Sequence, residues 1–86
     1  MTRRRRPALV IAFASTAQAM KAEEIFTREG LPGRMIPIPS QMTAGCGLAW
    51  KAEPEQESLL LEALRAGGGE SEKSAVIEMF GCEGTT

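Results

Sequence analysis

The stretch ALVIAFASTAQAMKAEEIF, residues 8–26, decides the fold. In its first part Leu9, Ile11 and Phe13 alternate with Ala8, Val10, Ala12 and Ala14, and Pro7 and Ser15 bound the run. A short, nearly continuous apolar run of this kind predicts a central strand. The period then changes. Ala19, Ala22, Ile25 and Phe26 recur at helical spacing and form a core-facing stripe, while Lys21, Glu23, Glu24 and Arg28 face water. Ser15 supplies an N-cap, and Gln18 three residues later completes a capping box. Gly30 stops the helix and Pro32 prevents its resumption.

Working outward, residues 34–38 predict a second strand. Pro37 and Pro39 cannot donate ladder hydrogen bonds and confine it to a sheet edge. A loop spans residues 40–45, and residues 48–52 form a third strand. Pro54, flanked by Glu53, Glu55 and Glu57, opens a second helix with Leu60, Ala63 and Leu64 on its buried face and Arg65 in its last turn. Gly67 ends it. The glycine-rich polar residues 67–73 predict a mobile connection, and residues 74–80 a final strand. The order strand, helix, strand, strand, helix, strand predicts an α+β, ferredoxin-like βαββαβ domain. Two helices cover one face of a four-stranded antiparallel sheet, with strands one and three central and two and four at the edges. The domain organisation read here is a disordered basic tail at residues 1–7, one domain at 8–80, and a frayed tail at 81–86.

Composition narrows the chemistry. Eighty-six residues allow one modest core, and a domain this small buries only about 60% of the surface its unfolded chain exposes. The chain has no His, Tyr or Asp, which removes the usual general base and the commonest metal ligand. Triad hydrolysis and histidine-based zinc catalysis are thereby set aside. No metal site and no cofactor is expected. The net charge of −1 hides an asymmetry. Without Arg3, Arg4, Arg5 and Arg6, six basic residues face eleven acidic ones, a balance of −5. An acidic body with a short basic tail is a poor footprint for nucleic acid.

The apolar run after the arginines is too short for a convincing signal peptide. No stretch approaches the ~20 apolar residues of a membrane span. The expected compartment is the cytoplasm, where Cys46 and Cys82 are thiols.

Cys46 is the residue singled out for chemistry. It sits in Thr43-Ala44-Gly45-Cys46-Gly47, and glycine on both sides predicts an accessible sulfur. On spacing alone such a segment is more often an ordinary connection with an incidental cysteine. The predicted topology adds a reason to look further. It brings the loop carrying Cys46 beside the helix start at Ser15 and Thr16, whose unpaired amides and dipole favour an anion. A thiol so placed is expected to gain thiolate character. Ser15 and Thr16 are read first as capping residues, with anion support beside Cys46 as their second role. Cys82 is expected at the far edge of the sheet, too distant for a disulfide with Cys46. Met20, Met35, Met42 and Met79 are expected to fill the core, and Trp50 to pack against the second helix or the sheet.

Phe13-x-Ser15, Ala19-Met20 with Glu23, Gly30, the Pro37-x-Pro39 pair and Ala44-Gly45-Cys46-Gly47-Leu48 together resemble the selenium/sulfur carrier-like family of small prokaryotic proteins. The resemblance runs over about residues 8–51, and its most specific part is the glycine–cysteine–glycine segment after the paired prolines. The Arg run and the Cys82 tail look peculiar to this chain. The resemblance implies a carrier rather than a true enzyme, with Cys46 bearing sulfur or selenium as a persulfide or selenopersulfide. Gly45 and Gly47 would give access, and the partners would be a donor enzyme and an acceptor protein. A thiol carrier needs no base, metal or deep pocket. Two other readings stay open from the residues alone. One is a binding module, in which Ala8, Val10, Ala12 and Ala49 on the helix-free sheet face form an apolar surface for a partner or a homodimer. The other is a redox-sensing thiol.

Overall fold

The computed structural model describes residues 5–39, 42 and 44–80. Residues 1–4 of the expected tail at 1–7, and the whole of the expected tail at 81–86 with Cys82, lie outside the described residues. The chain runs β1 (Arg5–Ala12), α1 (Thr16–Arg28), β2 (Arg34–Pro37), β3 (Leu48–Ala52), a 3₁₀ turn (Pro54–Gln56), α2 (Glu57–Ala66) and β4 (Lys73–Phe80). The sheet order is β2-β3-β1-β4 and every pairing is antiparallel. This is the ferredoxin-like βαββαβ arrangement, with β1 and β3 central and the proline-bearing β2 at an edge. No helix among the described residues is long and apolar enough to cross a membrane.

The alternation in β1 sorts its side chains onto two faces. Leu9, Ile11 and Phe13 face the helices and cluster with Ala19, Ala22, Ile25 and Phe26 of α1 and Leu60 and Leu64 of α2. Leu9, Ile11, Phe13, Phe26 and Leu60 are fully buried, and each large apolar side chain so placed stabilises the fold by about 1.5–3 kcal/mol. The helix stripe expected from the sequence is the one observed. Trp50 differs from expectation. Its ring packs on Phe26 of α1, with centroids 4.8 Å apart, and its indole N–H donates to the Pro32 carbonyl at 3.0 Å. Met20 also departs, at 61% exposed, because it projects from the solvent side of α1.

The ends of α1 follow from the sequence. The Ser15 hydroxyl accepts from the Gln18 amide at 3.3 Å, as an N-cap should. The Gln18 side chain does not return the bond to Ser15; its oxygen accepts from the Glu70 amide at 3.2 Å. At the other end Gly30 adopts φ 70°, and the amides of Leu31 and Gly30 donate to the Phe26 and Thr27 carbonyls at 2.8 and 3.1 Å. That is the Schellman pattern, with glycine at its left-handed position.

Three expectations are corrected here. β1 begins at Arg5, so Arg5, Arg6 and Pro7 belong to the strand and not to a tail. They pair with Phe80, Met79 and Glu78, because the eight-residue β4 outruns β3, whose pairing with β1 starts at Leu9. Pro7 therefore sits where β1 has one neighbour only, which tolerates a missing amide hydrogen. Second, the helix-free face does not present Ala8, Val10, Ala12 and Ala49 to solvent. Ala8 is 6% exposed and the others 0%, since Met42 lies on Val10, Ala12 and Ala49 with Ile36, Ile38, Ala44, Ala75 and Ile77 around them. Third, residues 67–72 are seated rather than loose. Gly69 is buried and donates to the Leu64 carbonyl at 2.8 Å, and the Glu72 amide donates to the Ala12 carbonyl at 2.7 Å.

Candidate functional site

The end of β1 and the starts of α1, β3 and β4 meet at one end of the sheet, and Cys46 lies where they meet. The chain leaves β1 through Phe13 and Ala14 and turns into α1 at the Ser15 cap. The approach to β3 runs back along this segment, and the Cys46 amide donates to the Phe13 carbonyl at 3.1 Å. The turn is closed on its other side by the Ile38 amide, which donates to the Gly47 carbonyl at 2.9 Å.

The two glycines have different tasks. A Cβ on Gly45 would overlap the Ala14 carbonyl oxygen, so glycine is required there for the close approach of two backbones. A Cβ on Gly47 would meet nothing within 4 Å. Access to the sulfur is not what Gly45 provides.

Cys46 itself is 4% exposed and belongs to the core cluster shared with Phe13, Ala19 and Trp50. The expectation of an accessible thiol is overturned, because the side chain turns inward under the first turn of α1. There its sulfur accepts from the Leu48 amide at 3.3 Å and lies 3.8 Å from the Thr16 hydroxyl. Thr16 opens α1, so the sulfur does stand at a helix N-terminus as the topology predicted. Ser15 is close in sequence but is occupied by its capping bond, and both Ser15 and Thr16 are themselves exposed. The structure thus gathers Cys46, Thr16 and Gly45 into one locus, leaves Ser15 at the cap, and leaves Gly47 in open space.

One residue escaped the sequence reading. The Glu72 carboxylate accepts from the Gly45 amide at 2.9 Å, across twenty-seven residues. The signal was present in the register: β4 starts opposite the end of β1, at Ala12↔Lys73. The residue before β4 must then lie beside Phe13 and the Cys46 turn. Reading residues 67–73 as a mobile loop hid it.

Chemically the locus offers one nucleophilic atom, a backbone N–H directed at it, a hydroxyl 3.8 Å away, and the positive end of a helix. Such donors strengthen when the acceptor carries charge. The fold and site define a small ferredoxin-like protein with an inward-facing thiol at a helix start. A family model described as "Putative Se/S carrier protein-like" matches residues 8–75, and the chain belongs to that family. No curated protein and no solved structure matches it.

Proposed function

We propose that this protein carries sulfur or selenium on Cys46, as a persulfide or selenopersulfide, between a donor enzyme and an acceptor protein in the reducing cytoplasm. The observation that carries the reading is the family match over residues 8–75, which spans Cys46 and the residues that contact its turn, Phe13, Thr16, Ile38, Leu48 and Glu72. The transfer balances without a cofactor. The Cys46 thiolate attacks the outer sulfur of a donor persulfide. A new S–S bond forms at Cys46 as the donor's S–S bond breaks, and the donor cysteine leaves as a thiolate. Release to an acceptor thiolate runs the same exchange onward. Leu48 N–H and the Thr16 hydroxyl are donors on hand for the charged sulfur, and the chain needs no general base for exchange between thiolates.

The test is intact-mass and peptide mass spectrometry of the chain carrying Cys82→Ser, after incubation with a cysteine desulfurase and cysteine, or a selenocysteine lyase and selenocysteine. A gain of one sulfur or selenium on Cys46, absent from Cys46→Ala, is the expected result. An unmodified Cys46 under conditions that load a control acceptor would overturn the proposal.

A further inference from the structure

We propose that Glu72 is the positioning residue of the Cys46 turn: its carboxylate latches the Gly45 amide, and release of that latch is the step that uncovers the thiol. The proposal rests on the carrier reading for its purpose, but not for its test. A donor persulfide has to touch the sulfur, and Cys46 is only 4% exposed, so the turn that carries it has to open.

Among the described residues, three hydrogen bonds tie the backbone of that turn to the rest of the fold, beside the local bond from the Leu48 amide to the Cys46 sulfur. Two are backbone pairs, Cys46 N–H to the Phe13 carbonyl and Ile38 N–H to the Gly47 carbonyl. The third, from Gly45 N–H to Glu72 Oε1 at 2.9 Å, ends on a side chain. A side chain releases by rotation, with no strand pair broken. Glu72 is delivered from a fixed point, because its own amide is bound to the Ala12 carbonyl at 2.7 Å. Gly45 and Glu72 are both exposed, so a docking protein can reach the latch. On the far side of Cys46, Gly47 is exposed and has no side chain to hold it in place. The contact is thus a charged clasp on the accessible flank of a buried thiol, anchored at one end to the sheet.

The experiment measures alkylation of Cys46 by N-ethylmaleimide in the full chain carrying Cys82→Ser, from zero to low urea, with global stability taken from separate urea melts. With Glu72 intact, the rate should be nearly independent of urea well below the melt, as for a local opening. Glu72→Ala should raise the rate about fivefold, the effect of losing one modest hydrogen bond. Glu72→Gln, which keeps an acceptor oxygen, should fall between the two. An unchanged rate in Glu72→Ala would overturn the proposal. So would alkylation of the intact chain that rises from the first addition of urea with the full slope of global unfolding. Should Glu72→Ala fail to fold, the Glu72→Gln rate and the urea dependence of the intact chain still decide the matter. Failure of chalcogen loading would sink the carrier reading and leave these rates as they are.

Discussion

The sulfur of Cys46 lies 3.8 Å from the hydroxyl of Thr16, thirty residues earlier in the chain and at the first turn of α1. A strand end, a helix start and a glycine turn are all needed to create that approach, so it ties the fold to the chemistry proposed for it.

The first prediction concerns this contact. Thr16→Val keeps the shape of the side chain and removes its hydroxyl. The rate of Cys46 alkylation should rise about two- to fivefold, because one contact that holds the sulfur in its buried position is lost. Thr16→Ser should retain the original rate. Equal rates for the Val and Ser variants would remove Thr16 from the site.

A second prediction separates the two glycines. Gly45→Ala forces a Cβ against the Ala14 carbonyl and should cost about 1–3 kcal/mol in a urea melt, in the range of overpacking. Gly47→Ala enters open space and should change stability by less than about 0.5 kcal/mol. A similar cost at both positions would contradict the packing described for the turn.

The third addresses the core against which the thiol rests. Phe26→Ala removes the ring that packs on Trp50 and should cost about 3–5 kcal/mol, enough to unfold much of a domain this small. Trp50→Phe loses the bond to the Pro32 carbonyl and should cost about 1 kcal/mol more than a packing change alone. Urea melts followed by far-ultraviolet circular dichroism report both. A Phe26→Ala chain as stable as the parent would argue against the α1–β3 packing.

Much of this architecture was legible because it is written locally. The alternation of Leu9, Ile11 and Phe13 and the stripe from Ala19 to Phe26 each carry their own period, and both appear as read. Pro37 placed its strand at the edge for a backbone reason that needs no partner to be known. The topology in turn brought Cys46 to the start of α1. Burial of the sulfur was not legible. The Cys46 amide is tied to the Phe13 carbonyl across the fold and its sulfur takes the Leu48 amide two residues on, and neither bond is a feature of a GCG segment. The helix-free face misled for the same reason: small residues on β1 suggested an open surface, and Met42 from the connection between β2 and β3 covers it. Glu72 was passed over because a polar, glycine-rich run looks solvated until the register of β4 places it beside Gly45.

The fourth prediction concerns the cap. Ser15→Ala removes the acceptor for the Gln18 amide and should destabilise the chain by about 0.5–2 kcal/mol. Ser15→Asp should restore most of the loss, since a carboxylate caps the same amide and suits the helix dipole. Full stability of Ser15→Ala would mean that the Ser15–Gln18 bond contributes nothing.

The central claim is that Cys46 bears the cargo, and one measurement bears on it most directly. Peptide mass spectrometry of the Cys82→Ser chain, after incubation with a desulfurase and cysteine or a lyase and selenocysteine, should find a single added sulfur or selenium on the peptide containing Cys46, removed by reductant. A Cys46 peptide of unmodified mass, alongside a control thiol that loads, would contradict the account.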